Sequence, residues 1–218
     1  MKFYLLDVET SGLDPTIHEI TEFSIIRCSD LVQKTWYLKI NNPKSVQPQA
    51  LAITNKSIKE LLSREKHLED VIDDINAFIE EDKGSPNERV IIAHNYSFDQ
   101  RFCEKIWEKY NKTFPANMWE CTMAMSRKYI KTISPDEKRP EVKLAVLLNR
   151  FGIKQKEPLH SAATDCRATF RLRDFLLRQG VKEIQFIKKS KRVIEKEKQN
   201  ITSNDTEDDP SMSEIFDF

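Results

Sequence analysis

Five residues of this chain have the types and order of a hydrolytic metal site: Asp7 and Glu9, then Asp99, then His160 and Asp165. Four carboxylates drawn into one pocket repel, by about 4 kcal/mol for a pair 4 Å apart at an effective dielectric near 20, so such a set calls for cations. An all-oxygen donor set selects Mg²⁺ or Mn²⁺ over Zn²⁺, whose sites usually include His or Cys. Two such ions, roughly 3.5 to 4 Å apart, hold a phosphodiester between them, one activating water and the other stabilising the leaving 3′ oxygen. An imidazole, with a reference pKa of about 6.5, is a suitable acceptor for the water's proton. Taken singly, each residue has an ordinary explanation: Asp7-Val8-Glu9 as a solvated turn, Asp99 as a carboxylate matched to a helix dipole, His160 as a surface histidine. Those explanations do not account for all five together.

The flanking sequence supplies elements that position them. Phe3 to Leu6 is an apolar run that ends in Asp7-Val8-Glu9 and a turn containing Gly12, and strand period two puts Asp7 and Glu9 on one face. Residues 89–93 read as a buried strand, followed by His94-Asn95 and a helix carrying Phe98, Phe102, Ile106 and Tyr110, with Asp99 near its start. His160 and Asp165 are five apart, about 140° around a helix, so His160 must precede the helix that presents Asp165. Ser161 is then the N-cap, and Ala162 and Ala168 are small enough for close approach to the strand of Asp7. That helix covers residues 161–179 and stops at Gly180. Residues 19–27 and 33–40 alternate as an antiparallel meander, 51–78 is mainly helical, 119–122 begins a strand-to-helix step, and 141–151 is a helix ended by Gly152.

With 218 residues and 39% hydrophobic content the chain suits one domain and a tail. No apolar run approaches the ~20 residues of a membrane span, and Asp7 comes too early for a signal peptide, so a cytoplasmic protein without a membrane segment is expected. Cys28, Cys103, Cys121 and Cys166 have no CxxC spacing and read as reduced thiols. Formal charge is zero, but residues 187–218 hold six Lys/Arg and eight Asp/Glu, leaving +2 on the remainder. Cations offsetting the four carboxylates would raise that to +6, enough to hold an anionic strand with salt-sensitive affinity. Arg127, Lys128, Lys131, Lys138, Arg139 and Lys143 lie between Asp99 and His160, where they either follow a phosphate backbone or simply solvate a helix surface. The expected division is a catalytic domain over 1–180, a charged extension over 181–199, and an acidic flexible tail over 200–218 whose apolar tip either docks a partner or packs on its own domain.

Asp7-Val8-Glu9-Thr10-Ser11-Gly12-Leu13, His94-Asn95-Tyr96-Ser97-Phe98-Asp99 and the segment from His160 to Asp165 resemble the three motifs of the DEDDh 3′–5′ exonucleases, the DnaQ-like family that includes the polymerase III epsilon proofreading subunit. Pro48-Gln49-Ala50-Leu51-Ala52-Ile53 and the stretch from Glu120 to Arg127 are most similar to its exonuclease X-type members. The resemblance implies an α/β, ribonuclease H-like fold: a mixed sheet of about five strands flanked by helices, with the site across the strand ends. It implies that Asp7, Glu9 and Asp165 ligate two Mg²⁺ or Mn²⁺ ions, that Asp99 holds the second ion directly or through water, and that His160 is the general base. Thr10 and Leu13 would contact the 3′-terminal nucleotide, while Asn95 and Phe98 shape its pocket. Ser11 stands where the family often has Thr. The implied activity is release of 5′-mononucleotides from DNA 3′ ends in repair or end processing. RNA as substrate, or a proofreading or docking subunit joined through its tail to a replication or repair protein, are the other readings.

Overall fold

The computed structural model describes residues 1–155 and 157–187. Its centre is β1 (Lys2–Thr10), the first apolar run of the sequence. After it come β2 (Ile20–Arg27), β3 (Val32–Tyr37), α1 (Pro48–Thr54), α2 (Ile58–Ser63), α3 (Ile72–Glu80), β4 (Arg89–Ala93), α4 (Tyr96–Lys109), β5 (Met118–Cys121), α5 (Thr122–Ile133), α6 (Leu144–Arg150), α7 (Ala162–Arg178) and β6 (Gln185–Ile187). The sheet order is β3-β2-β1-β4-β5-β6. β1 is antiparallel to β2 and parallel to β4, β4 is parallel to β5, and β3 and β6 close the two edges antiparallel to their neighbours.

Period-two alternation gives β1 two different faces. Tyr4, Leu6 and Val8 join Phe23 and Ile25 of β2 in the larger core, under Ile75 and Phe78 of α3 and Phe102, Ile106 and Trp107 of α4. Leu5 points the other way, with Ile26 and Ile92, against Cys166 and Phe170 of α7. Asp7 and Glu9 continue the Leu5 face. A third cluster joins α5, α6 and α7 through Met125, Leu147, Leu148, Ala168 and Leu172. Ala168 thus joins α5 and α6, while Cys166, one helical turn beyond Ala162, joins Leu5 of β1.

Three further expectations are revised. The sheet has six strands instead of about five: β6 is three residues long, within the stretch read as a charged extension, and Phe186 stacks on Tyr96 with ring centroids 4.3 Å apart. The helical stretch over 51–78 is broken, because Asn55 turns left-handed (φ 53°) to end α1 and Ser57 caps a new start at α2. The helix expected from 141 begins at Leu144, because Lys143 is extended (ψ 143°), and the Val142 carbonyl before it lies 2.8 Å from His94 Nε2. The extension beyond 187, the acidic tail and its apolar tip lie outside the described residues.

Candidate active site

Where β1 outruns its pairing with β4, three elements bring acidic groups together. Asp7 and Glu9 are half-buried on the α7 face of β1, and Asp165 comes up from the first turn of α7. One carboxylate oxygen from each of these three lies within 4.8 Å of the others. Asp99, in the first turn of α4, is buried and accepts the Val8 N–H at 3.2 Å, just past the last β1–β4 pair at Leu5 and Ile92. It thus meets the same strand from the neighbouring helix but stands outside the tight group of three.

The third segment is built by capping. Ser161 Oγ accepts the Thr164 N–H at 3.3 Å, a cap usually worth about 1 kcal/mol. Asp165 Oδ1 accepts the His160 N–H at 3.1 Å, and His160 takes a left-handed backbone (φ 78°) as it enters the helix. As the spacing required, His160 precedes the helix; its ring is exposed and makes no hydrogen bond among the described residues.

Burial raises the Asp7 carboxyl well above the usual range, and Asp99, Glu9, Asp165 and Glu22 add to it. Glu9 is pushed up to about 8 by burial first and then by Asp165, Glu22 and Asp99, with Lys56 working against them. Asp99 also rises to about 8, from burial, although the Val8 amide opposes the shift. Asp165 is raised by burial and drawn down by the His160 amide. Such crowding without a compensating guanidinium or ammonium in the group of three fits divalent cations, and the all-carboxylate donor set fits hard ones. Asp7, Glu9 and Asp165 are placed to hold them, with Asp99 beside them.

A cleft of about 520 Å³ opens next to this cluster, lined by Glu9, Thr10, Leu13, Phe98 and the α1 residues Gln49, Ala50 and Ile53. Leu13 is 68% exposed and Ile53 57% exposed, apolar walls without cover among the described residues. The Thr10 hydroxyl donates to the Gly12 carbonyl at 2.7 Å, so it closes the turn from within. Asn95 is not in the cleft lining; it is the left-handed N-cap of α4 (φ 63°). A second cavity of about 440 Å³, between α6 and the loop before His160, contains none of the acidic residues.

Three residues were not singled out from the sequence for a role. Glu22 is 1% exposed, is paired with Glu9 across β1 and β2, and lies on the α7 face. His94 is held with Nδ1 3.0 Å from Thr122 Oγ1 and Nε2 2.8 Å from the Val142 carbonyl, and burial lowers it to about 4. His18 packs so tightly on Gly12 that a Cβ there would lie 2.3 Å from its ring, which explains the glycine in the turn after Glu9. A polar residue inside an alternating strand was the only signal for Glu22.

Related sequences and folds are known. The DNA polymerase III PolC-type of Thermotoga petrophila is 30% identical over 108 residues; these make up 49% of this chain, which spans only 7% of that polymerase. Among solved structures, the nuclease domain of 3′hExo, a DEDDh family member bound to rAMP, superposes with a TM-score of 0.65 at 16% identity, over 86% of this chain and 97% of that one. E. coli exonuclease I in complex with a dA16 oligonucleotide superposes with a TM-score of 0.65 at 19% identity, over 82% and 41%. No helix among the described residues is long and apolar enough to cross a membrane. The family model RNase_T, an exonuclease family, matches residues 5–172, and the chain belongs to that family.

Proposed function

We propose that this chain is a cytoplasmic 3′–5′ exodeoxyribonuclease that removes 5′-mononucleotides from DNA 3′ ends, in repair or end processing, with two Mg²⁺ or Mn²⁺ ions. The observation that carries the reading is the meeting of Asp7, Glu9 and Asp165 within 4.8 Å, beside the buried Asp99. When bound, the cations supply Lewis-acid polarisation of the phosphate and ionisation of water at neutral pH. Asp7, Glu9 and Asp165 would hold them, with Asp99 beside them as a further ligand, direct or through water. His160, outside the helix and free to turn its exposed ring, takes the water's proton on an imidazole nitrogen. Leu13, Ile53 and Phe98 give the terminal nucleotide an apolar seat next to Glu9, and the Thr10-to-Gly12 turn fixes the position of Leu13. Asn95 sets the start of α4, and so contributes to the pocket through Phe98 and Asp99.

DNA is favoured by the likeness to a DNA polymerase and to exonuclease I in complex with an oligodeoxynucleotide. The fold shared with 3′hExo, seen with rAMP, makes RNA the alternative. Both are tested by digesting matched DNA and RNA oligonucleotides, labelled at either end, with Mg²⁺, Mn²⁺ or chelator. The expected result is a one-nucleotide ladder shortening from the 3′ end, faster on DNA and absent with chelator. Faster loss of RNA would transfer the assignment to RNA, and activity in chelator would remove the metal mechanism.

A further inference from the structure

Glu22 is the point at which the start of α7 is tied to the rest of the site. Its Oε2 accepts the Ala162 N–H at 3.2 Å. Its Oε1 lies 3.3 Å from Arg64 Nη2 and 3.9 Å from Lys56 Nζ, which flank α2, the helix after the α1 that walls the cleft. Arg64 is itself fixed, with Nη1 donating to the Thr21 carbonyl at 2.5 Å and to the Leu38 carbonyl at 3.3 Å. On the β3 side Gln33 donates to the Ala163 carbonyl at 2.9 Å and accepts from Arg167 at 2.7 Å, so the first turn of α7 is anchored at two consecutive residues. A carboxylate aimed at the N-terminal amides also matches the positive end of the helix.

We propose that Glu22 is a positioning residue: by holding the Ala162 amide while its other oxygen is held by Arg64, it sets the gap between Asp165 and Glu9 that a divalent cation would occupy. This rests on the metal-site reading above. Asp165 follows Ala162 within the same helical turn, so a slip of the helix start moves its carboxylate by a comparable amount, and cation sites tolerate only about 0.5 Å of such error. Groups that orient ligands in this way typically change metal affinity about 10- to 100-fold when altered.

The test compares reach with charge in the full chain. Glu22→Asp keeps the charge but is one methylene short of spanning Ala162 and Arg64; Glu22→Gln keeps the length and an acceptor oxygen for Ala162, but loses the charge and turns an NH2 donor towards Arg64. Mn²⁺ affinity is measured by calorimetric titration without nucleic acid, and hydrogen exchange is followed at the Ala162 amide. The expected order is that the Asp variant loses at least about 10-fold in Mn²⁺ affinity and exposes Ala162 to exchange, while the Gln variant keeps the amide protected and loses less affinity. An Asp variant that binds Mn²⁺ like the wild type overturns the proposal, as does one that loses Mn²⁺ affinity while its Ala162 amide stays protected. Wild-type protein that binds no Mn²⁺ would instead overturn the metal-site reading, an outcome told apart by its appearance before any substitution.

Discussion

At the residue scale, each carboxylate of the cluster should be dispensable for folding and indispensable for turnover. Asp7→Asn removes a group that burial and four like-charged neighbours make costly to ionise. Its melting temperature in chelator should therefore rise by a few degrees, while hydrolysis falls on the order of 10³-fold or more through the loss of a ligand. Asp165→Asn should lose activity to the same degree. His160→Ala should slow the chemical step about 10²- to 10⁴-fold and leave the thermal melt unchanged, because the ring is exposed. The pH dependence of the metal-free protein follows from the same groups. Glu9 and Asp99 rise to about 8, so between about pH 4 and 8 the native state binds more protons than the unfolded chain, and their contribution to stability, full below that window, is gone once pH passes 8. His94, lowered to about 4, acts in the opposite direction, but only between pH 4 and 6.5. Melting in chelator should accordingly drop between pH 6.5 and 8.5, and Mg²⁺ should restore more stability at the upper end than at the lower. A flat profile would show that the acidic groups are not crowded.

At the element scale, β6 is the part of the sheet that the sequence hid. Its Phe186 lies on Tyr96 at the start of α4, and the carbonyl of the preceding Ile184 accepts the Cys121 N–H at 3.2 Å. A chain ending at residue 180 should unfold at lower urea or temperature than one ending at 187, by about 2 kcal/mol from the lost ring contact and burial, with a midpoint several degrees lower. The long apolar patterns were legible: residues 89–93 as a strand, the helix with Phe98 and Phe102, and the last helix with its Ser161 cap all stand where their periodicity placed them. Three residues between charged neighbours carry too little periodicity to reveal a strand that exists because β5 offers an open edge. The break at Asn55 was equally hidden, since its left-handed turn answers to the way α1 closes and not to any apolar spacing. In the site, the spacing of His160 and Asp165 required the cap geometry that is found. The role of Glu22 was not legible, because its partners Arg64 and Ala162 are brought to it only by the fold.

At the scale of the whole molecule, the chain's zero net charge conceals a distribution that matters for an anionic substrate. Arg127, Lys128 and Lys131 on α5, and Lys138, Arg139 and Lys143 before α6, are all exposed. If they follow the strand leaving the cleft, neutralising three of them should weaken single-stranded DNA binding and flatten the salt dependence by about 2 in slope, measured as log affinity against log salt; an unchanged slope assigns them to surface solvation. The strand order has a separate effect on the timing of assembly. β1, made first, is the middle of the sheet, whereas α7 is among the last elements to be joined to it. Asp7 and Glu9 are therefore synthesised long before Asp165, and a translation product interrupted before α7 lacks one wall of the acid pocket.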